Sequence, residues 1–257
     1  MLILIQQVED FECFDISSLR QIVYGSAPMA AQWIRKTMTR FEGVELIQSY
    51  GLTETAPILT TLSMSEHKQA FETNDDQLLK SVGRPLVGVD MKIVDVNDQE
   101  RPIGEPGEVV VRAPNVAKGY LEQPQATAQA FRGDWFFTGD IGYLDQRGYL
   151  YLLDRKKDMI ITGSELVFSL EVESVLCQHP GVSECAVVGV PDETYGEALL
   201  AAVVPLRGER VTEEELVEFC RGKIGGFKIP RRYVFMDELP KSAMNKVLKT
   251  ELRRRYR

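Results

Sequence analysis

The sequence feature that most constrains the fold is a strand pattern that occurs twice and ends each time in a turn of small residues. Residues 19–28, LRQIVYGSAP, have the pattern of a buried strand entering a Gly-Ser turn, and residues 44–55, VELIQSYGLTET, repeat the arrangement. Apolar residues at helical spacing predict a helix between them, over residues 29–41. Two such strand ends place backbone amides and hydroxyls at one edge of a sheet, where α/β proteins tend to bind nucleotides.

The pattern changes twice more along the chain. From residue 82 to residue 153, short strands separated by Gly, Pro, Asn and Asp indicate a small antiparallel or barrel-like unit. Beyond it, helical and strand segments alternate, and Thr212 with Glu215 forms a capping box ahead of a helix. The charge-dense residues 154–158, DRKKD, mark a boundary, so we expect one domain over residues 1–156 and an α+β domain over residues 157–257.

Charge and composition argue against several classes of partner. A net charge of −8 over 257 residues argues against nucleic acid, so any bound anion should be small. No apolar run reaches membrane-spanning length, and the opening MLILI has the pattern of the middle of a buried helix, which indicates a missing N-terminal segment. The four cysteines, Cys13, Cys177, Cys185 and Cys220, contain no CxxC pair, so we expect free, buried thiols in a reducing cytoplasm rather than a zinc site.

Five stretches carry polar groups that packing alone does not explain. They are YGSAP (24–28), SYGLTETAP (49–57), WFFTGDIGYLD (135–145), DRKKDMIITGSE (154–165) and PKSAMNK (240–246). In this order and spacing they resemble the adenylate-forming superfamily, and within it the acyl-CoA synthetases most closely. The resemblance covers nearly all of this chain but only the second half of a family member.

The resemblance implies a fold of mixed α/β and α+β class. It would comprise the C-terminal part of a large adenylate-forming α/β domain with a small β-barrel-like unit, followed by a mobile α+β lid domain. It also implies a ligase that joins a small carboxylic acid to ATP with the help of Mg²⁺, releases pyrophosphate, and passes the acyl group from AMP to the thiol of CoA.

The resemblance assigns the base and phosphate sites to the first two stretches. The turn Gly25-Ser26-Ala27-Pro28 lines the base site, and Tyr50, with Gly51 after it, lies against the adenine. Thr53 hydrogen-bonds phosphate, and Glu54 holds Mg²⁺ as a hard oxygen ligand.

The later stretches supply the sugar site and the hinge by the same resemblance. Asp140 is an acceptor-only carboxylate suited to two ribose hydroxyls at once, and Arg155 donates to the same sugar. Gly163 belongs to the same nucleotide-binding set. Lys157 matches the position at which the lid pivots.

Three lysines lie near the C-terminus, and one of them matches a family residue. Lys246 corresponds to the lysine that bridges the substrate carboxylate and the α-phosphate, which suits a long flexible stem carrying a point charge. Lys241 and Lys249 have no such match, and we expect them to be solvated surface charge.

Several residues depart from the family pattern. Asn245 stands where glycine is usual, and asparagine tolerates positive φ best among the other residues. In TGSELVFS, Ser164 replaces a glycine, Leu166 an asparagine, Phe168 a tyrosine and Ser169 a proline. The family uses this loop to line the pantetheine tunnel, where a Cβ at Ser164 would add bulk. The sequence therefore supports adenylation more firmly than thioester formation. Ser49, where many CoA ligases have glycine, would add bulk beside the acyl pocket, so the favoured acid is not defined by the resemblance.

A Gly/Ser/Thr-rich loop with a lysine, which cradles the β- and γ-phosphates in the family, is absent from this sequence. We therefore expect a fragment of an acyl-CoA synthetase without its N-terminal half. Two alternatives remain open at this point: a non-catalytic nucleotide- or protein-binding remnant of the family, and the adenylation domain of a peptide synthetase.

Overall fold

The computed structural model of this chain describes residues 2–6, 8, 10–27, 29–243 and 245–257, without the side chains of Ile3 and Leu4. The chain divides into two units, Met1–Leu152 and Leu153–Arg257. Each unit buries clusters of apolar side chains of its own. Within the described residues, no helix combines the length and the apolar character needed to cross a membrane.

The first unit opens with a four-stranded sheet in the order β1-β2-β3-β4. Its strands are β1 (Gln21–Gly25), β2 (Glu45–Tyr50), β3 (Thr60–Leu62) and β4 (Arg84–Pro85). β1 and β2 are parallel, whereas β3 is antiparallel to both β2 and β4. The helices of this part are α1 (Leu2–Ile5), α2 (Ala31–Arg40), α3 (Met64–Glu72) and α4 (Asp76–Lys80). The strands and the intervening helix expected from residues 19–55 are therefore confirmed.

Burial in this part differs from the expectation at β1. Ile34 of α2 and Leu46 of β2 are buried in one cluster with Leu62 and Leu78. β1 itself is not a buried strand: its residues alternate in exposure, and Val23 is 57% exposed. Among the described strands, β1 pairs with β2 alone. An apolar run indicates that a strand forms, but its burial depends on which elements cover its faces.

The remainder of the first unit is a second sheet, in the order β5-β6-β8-β7, with β9 also paired to β8. Its strands are β5 (Asp90–Val94), β6 (Gly107–Arg112), β7 (Phe131–Arg132), β8 (Trp135–Leu144) and β9 (Leu150–Arg155), and α5 (Pro124–Ala130) precedes β7. β6 is antiparallel to β5 and to β8, and β7 is antiparallel to β8, as expected for this region. Its core contains Val109, Val111, Phe136 and Leu150.

The second unit is built on a five-stranded sheet in the order β11-β10-β13-β12, with β14 parallel to β13. Its strands are β10 (Ile160–Thr162), β11 (Glu165–Val167), β12 (Val182–Asp192), β13 (Gly196–Pro205) and β14 (Arg232–Phe235). Its helices are α6 (Ser169–Leu176), α7 (Glu213–Cys220) and α8 (Lys249–Arg255). The capping box of Thr212 and Glu215 at the start of α7 is confirmed.

The hairpin of β12 and β13 is the centre of the second unit. One buried cluster joins it to α6 and α7 through Val172, Leu176 and Leu216. A second cluster joins it to the C-terminal segment through Leu239 and Leu252. Both faces of this hairpin are therefore covered.

The cysteines are free, as expected, but they are not all buried. Cys220 is buried and Cys185 is partly buried, whereas Cys13 and Cys177 are exposed. The expectation of buried thiols is therefore wrong for Cys13 and Cys177. Cys13 ends a short 3-10 turn, and Cys177 caps the C-terminus of α6, so neither lies within a strand or on the inner face of a helix.

Candidate active site

Two of the small-residue turns leave the first sheet side by side. β1 and β2 are parallel and in register, with Gly25 opposite Ser49. A Cβ at Gly25 would lie 2.1 Å from the Ser49 carbonyl oxygen, so this close approach requires glycine. Ser26 then turns the chain with a left-handed φ of 67°, and Ala27 follows it exposed. Pro28 lies outside the described residues. The expectation that both turns lie at one edge of the sheet is confirmed.

The second turn folds back on itself immediately after β2. A Cβ at Gly51 would lie 1.5 Å from the carbonyl oxygen of Pro57, so only glycine allows the two backbone segments to meet here. The loop closes where the Leu59 amide donates to the Tyr50 carbonyl at 2.8 Å. Thr53 starts a 3-10 turn at the tip of this loop and is exposed.

A buried hydrogen bond links this edge to the second sheet. The Tyr50 hydroxyl donates to Oδ2 of Asp140 at 2.6 Å, and the two residues are 8% and 5% exposed. A hydrogen bond to an ionised carboxylate offsets the desolvation of that group better than one between neutral partners. The carboxylate of Asp140 is thus held in a defined orientation beside the end of β2.

A bulge in β8 accounts for the direction of Asp140. From Phe137 to Ile141 β8 advances four residues, while the paired stretch of β6 from Val110 to Glu108 advances two. The two extra residues distort the strand, and Gly139 adopts a left-handed φ of 70°. Gly139 and Asp140 therefore lie within a strand rather than at a hairpin corner. Bulges commonly re-aim a side chain next to a functional site.

Glu54 is positioned by a tyrosine that sequence reasoning did not single out. The Tyr120 hydroxyl donates to Oε1 of Glu54 at 2.8 Å, and the Ala117 amide donates to the Glu54 carbonyl at 2.7 Å. Burial, together with the carboxylate of Glu54, raises the pKa of Tyr120 to about 12. Tyr120 lies in KGYLEQP, residues 118–124, outside the five polar stretches, and no local pattern in the sequence joins it to Glu54.

The surroundings of Glu54 fit a magnesium ion in that they hold one carboxylate in a fixed orientation. Mg²⁺ is commonly held by one or two carboxylates together with substrate phosphates, rather than by a complete protein cage. Glu54 offers a carboxylate fixed through one oxygen, beside the exposed Thr53. Within the described residues, no group of three or more His, Cys, Asp or Glu is arranged to hold a metal ion.

β9 continues past the boundary into the second unit, where Arg155 ends it and an exposed Lys157 lies in the 3-10 turn that follows. Carboxylates anchor this turn on both sides. Asp154 accepts hydrogen bonds from the Ser169 hydroxyl at 2.7 Å and from the Arg155 amide at 2.7 Å. Asp158 is paired with Arg253 of α8 at 2.8 Å. The role of Lys157 as a hinge stays a prediction.

The turn between β10 and β11 contains Gly163 and Ser164 in the left-handed region, with φ of 57° and 76°. Two consecutive residues at positive φ are typical of a type I′ hairpin turn. The Gly163 amide donates to the Tyr195 carbonyl at 2.9 Å. Ser164 therefore holds its Cβ in a conformation that favours glycine. Ser169, where the family has proline, is fully buried and bonded to Asp154.

The three C-terminal lysines are in different environments. Lys241 pairs with Glu184 at 2.7 Å, and Lys249 pairs with Glu173 at 2.7 Å with its side chain only 14% exposed. The expectation that both are solvated charge is therefore wrong, because the tail packs against β12 and α6. Lys246 is exposed, and its ammonium makes no hydrogen bond or ion pair with the part of the chain that the structure describes.

A tight turn presents Lys246. The Ser242 amide donates to the Lys246 carbonyl at 2.8 Å, and the Asn245 amide donates to the Ser242 carbonyl at 2.8 Å. Asn245 has a φ of 61°, as expected for a residue that replaces glycine. The backbone of Lys246 is thus held in the turn, while its side chain is exposed.

The first unit, with small-residue turns at the ends of adjacent parallel strands, has the features of a nucleotide-binding α/β protein. Residues 1–121 match the sequence profile of the AMP-binding enzyme family, and residues 171–246 match that of the AMP-binding enzyme C-terminal domain. The chain belongs to this family of adenylate-forming enzymes, in the branch whose characterised relatives are CoA ligases.

Individual relatives agree with this assignment. The 2-succinylbenzoate–CoA ligase of Geobacillus sp. (strain WCH70) is 45% identical over 212 residues, which are 82% of this chain and 41% of the relative. The structure of the amide bond synthetase McbA from Marinactinospora thermotolerans matches with a TM-score of 0.89 and 38% identity, over 99% of this chain and 50% of that one.

A third relative was solved with a reaction intermediate. The o-succinylbenzoate CoA synthetase of Bacillus subtilis, in complex with its acyl-adenylate OSB-AMP, matches with a TM-score of 0.82 and 36% identity. The match covers 97% of this chain and 48% of that one. The chain therefore spans about half the length of the relatives it matches.

Proposed function

We propose that this chain supplies the adenosine-binding part and the lid of a cytoplasmic, AMP-forming carboxylate–CoA ligase. The ligase would join a small carboxylic acid to ATP and then transfer the acyl group to CoA. The family assignment and the CoA ligases among its relatives support this proposal. The four free cysteines are typical of a reducing compartment.

The observation that carries the proposal is the buried hydrogen bond from Tyr50 to Asp140 at the end of β2. A carboxylate accepts hydrogen bonds only, so Asp140 is suited to two ribose hydroxyls, and Arg155 is proposed to donate to the same sugar. The adjacent Ser26 turn and the ring of Tyr50 would contact the base. Gly163, in the second unit, is proposed to complete this set.

Thr53 and Glu54 would serve the triphosphate. Thr53 is exposed, and its hydroxyl would donate to a phosphate oxygen, while Tyr120 keeps the Glu54 carboxylate in place for a metal ion. When bound there, Mg²⁺ would neutralise charge on the phosphates.

The lid would supply the cation for the first half-reaction. A carboxylate that attacks the α-phosphate brings two anions together, which requires a positive charge placed between them. The ammonium of Lys246, which pairs with none of the described residues, is suited to this task, and a lid pivoting at Lys157 would deliver and withdraw it.

Nucleotide binding by this chain tests the proposal directly. We expect Asp140→Asn to weaken AMP and ATP binding by about 1.5–3 kcal/mol, the range for a hydrogen bond to a charged group. The measurement is titration calorimetry, with thermal unfolding recorded for every variant. Asp98→Asn is the matched control, because it removes a carboxylate paired with Arg132 on the surface of the same unit.

The two outcomes separate the proposal from the non-catalytic alternative. If Asp140→Asn binds AMP as the parent does but unfolds at a much lower temperature, the residue serves only the fold. Loss of affinity with an unchanged unfolding temperature supports a nucleotide site. The peptide-synthetase alternative would share this site and differ only in the acceptor of the acyl group.

A second candidate, amide formation in place of thioester formation, is favoured by one residue. Ser164 keeps a left-handed backbone and adds a Cβ in the loop that the family places along the pantetheine tunnel. One of the matching structures is that of an amide bond synthetase. Offering preformed acyl-AMP both CoA and a primary amine, with the products identified by mass, distinguishes these acceptors.

A further inference from the structure

Two cysteines of the second unit contact each other. Cys177 caps the C-terminus of α6, Cys185 lies on β12, and their Sγ atoms are 3.1 Å apart. Only eight positions of the sequence separate them. A disulfide bond has an S–S length of about 2.05 Å, so the two sulfurs would need to approach by only ~1 Å. Neither thiol has a role in the proposed ligase reaction.

The local fold keeps these thiols together. α6 ends at Leu176, the chain turns through Pro180 and Gly181, and β12 begins at Val182, whose side chain is buried in one cluster with Leu176. The His179 amide donates to the Leu176 carbonyl at 3.1 Å, and the Val182 amide donates to the His179 carbonyl at 3.0 Å. The register of β12 against β13 shifts between Val182 and Glu184, immediately before Cys185.

The two thiols differ in exposure and in acidity. Cys177 is exposed, whereas Cys185 is partly buried and also donates to the Glu173 carbonyl at 3.5 Å. The hydrogen bond between the thiols lowers the pKa of Cys177, and the same bond together with burial raises the pKa of Cys185. The accessible thiol is therefore the better nucleophile, and the second thiol lies in contact behind it.

We propose that Cys177 and Cys185 form a peroxide-sensitive dithiol that closes to an intramolecular disulfide. The Cys177 thiolate attacks one oxygen of hydrogen peroxide and the O–O bond breaks, which leaves a sulfenic acid on Cys177 and, after proton uptake, one water. Cys185 loses its proton and attacks the Cys177 sulfur. The S–O bond breaks, the S–S bond forms, and a second water leaves.

The atoms and electrons of this reaction balance. Two thiols are oxidised to one disulfide, and one peroxide is reduced to two waters. A small dithiol such as dithiothreitol reverses it by exchange. The disulfide would fix the C-terminal end of α6 to β12. At the opposite end of α6, the hydroxyl of its first residue, Ser169, donates a hydrogen bond to Asp154, which lies next to the turn that contains Lys157.

The site can be tested on the folded chain by mass spectrometry. After treatment with about one equivalent of hydrogen peroxide, we expect a loss of two hydrogen masses in the monomer and a proteolytic peptide pair joined through Cys177 and Cys185. Dithiothreitol should reverse both changes. A linked pair involving Cys13, or a disulfide-bonded dimer as the main product, would overturn the proposal without the need for any variant.

Three substitutions sharpen the test. Cys185→Ser should leave a sulfenic acid on Cys177 that a cyclic dione traps, and Cys177→Ser should abolish both trapping and the mass loss. Cys13→Ser is the matched control, because it removes an exposed thiol without a neighbouring cysteine among the described residues and should leave the disulfide unchanged. Equal trapping of Cys177 in the parent and in Cys185→Ser would contradict a resolving role for Cys185.

Discussion

Lys246 is exposed, whereas Lys241 and Lys249 form ion pairs. The sequence singled out Lys246 but did not predict the two ion pairs. The motif identified Lys246 from its position after Asn245, and the positive φ of Asn245 agrees with that match. The ion pair of Lys249 with Glu173 joins residues far apart in the sequence. Local pattern contains no information on such a pair, because it forms only when α8 packs on the sheet.

Replacing Lys246 tests its proposed charge. In an active ligase that contains this chain, we expect Lys246→Ala to slow adenylate formation by roughly 10²–10³-fold, the scale for losing one preorganised charge donor. Thioester formation from preformed acyl-AMP should be spared, because the lid has then withdrawn the lysine. The measurement is the rate of each half-reaction.

Lys241→Ala is the control for this experiment. It removes a lysine five residues away whose ammonium is already paired with Glu184. We expect it to change adenylation little. Equal losses from Lys246→Ala in both half-reactions would contradict the proposed division of labour.

Ser164 allows a prediction about stability. A left-handed backbone is unfavourable for a residue with a Cβ by about 1–2 kcal/mol, and glycine removes that strain. Glycine also has more conformational entropy in the unfolded state, which offsets part of the gain. We expect Ser164→Gly to raise the free energy of unfolding by about 0.5–1 kcal/mol, as measured by urea denaturation.

Ser174, exposed on α6, provides the opposite case. Its backbone is helical, so Ser174→Gly should lower the free energy of unfolding by about 0.5 kcal/mol. If both substitutions destabilise the chain to the same extent, Ser164 is not strained.

Among the secondary-structure elements, those with strong local signals were predictable. The capping box of α7 and the alternation of helices and strands in the second unit agree with the structure. The exposure of β1 and the bulge around Gly139 were not predictable. Burial of β1 depends on the elements that cover it, and the bulge depends on how β8 pairs with β6, which are separated by α5 and β7.

The turn from Lys156 to Asp158 is the element in which the proposed hinge lies. A residue that absorbs a large change in φ and ψ allows a lid to rotate, and proline would fix φ near −65°. In an active ligase that contains this chain, we expect Lys157→Pro to block one half-reaction and leave the other working. The measurement is the separate rate of adenylation and of thioester formation.

Lys157→Ala is the matched variant, since it removes the same side chain and leaves φ free. We expect it to retain both half-reactions. A parallel loss of both activities in Lys157→Pro, or no loss of either, would count against a hinge at this residue.

At the scale of the whole molecule, the question is whether this chain catalyses adenylation on its own. The chain spans about half the length of its relatives, and its sequence contains no phosphate-cradling loop. We expect it to bind AMP weakly but not to exchange pyrophosphate into ATP at a rate typical of ligases. Orientation and charge stabilisation supply most of such a barrier reduction, so losing half the site should slow exchange by many powers of ten.

Labelled pyrophosphate provides the measurement. Exchange is followed for the chain alone and after mixing with the upstream half of the Geobacillus relative, and the Asp140→Asn chain serves as the control for mixing. Rapid exchange by the chain alone would refute the expectation. Recovery only on mixing, and only with Asp140 intact, would exclude a purely non-catalytic role.

The hairpin of β12 and β13 also has a consequence for the order of folding. Its paired residues are close in sequence around Asp192 and Gly196, so little chain entropy is lost when the strands meet. α6 and α7 cover one face, and α8, which follows the hairpin in the sequence, covers the other. During synthesis, we expect the hairpin to form early and to keep one apolar face open until α8 has left the ribosome, which makes that interval the one in which a chaperone matters most.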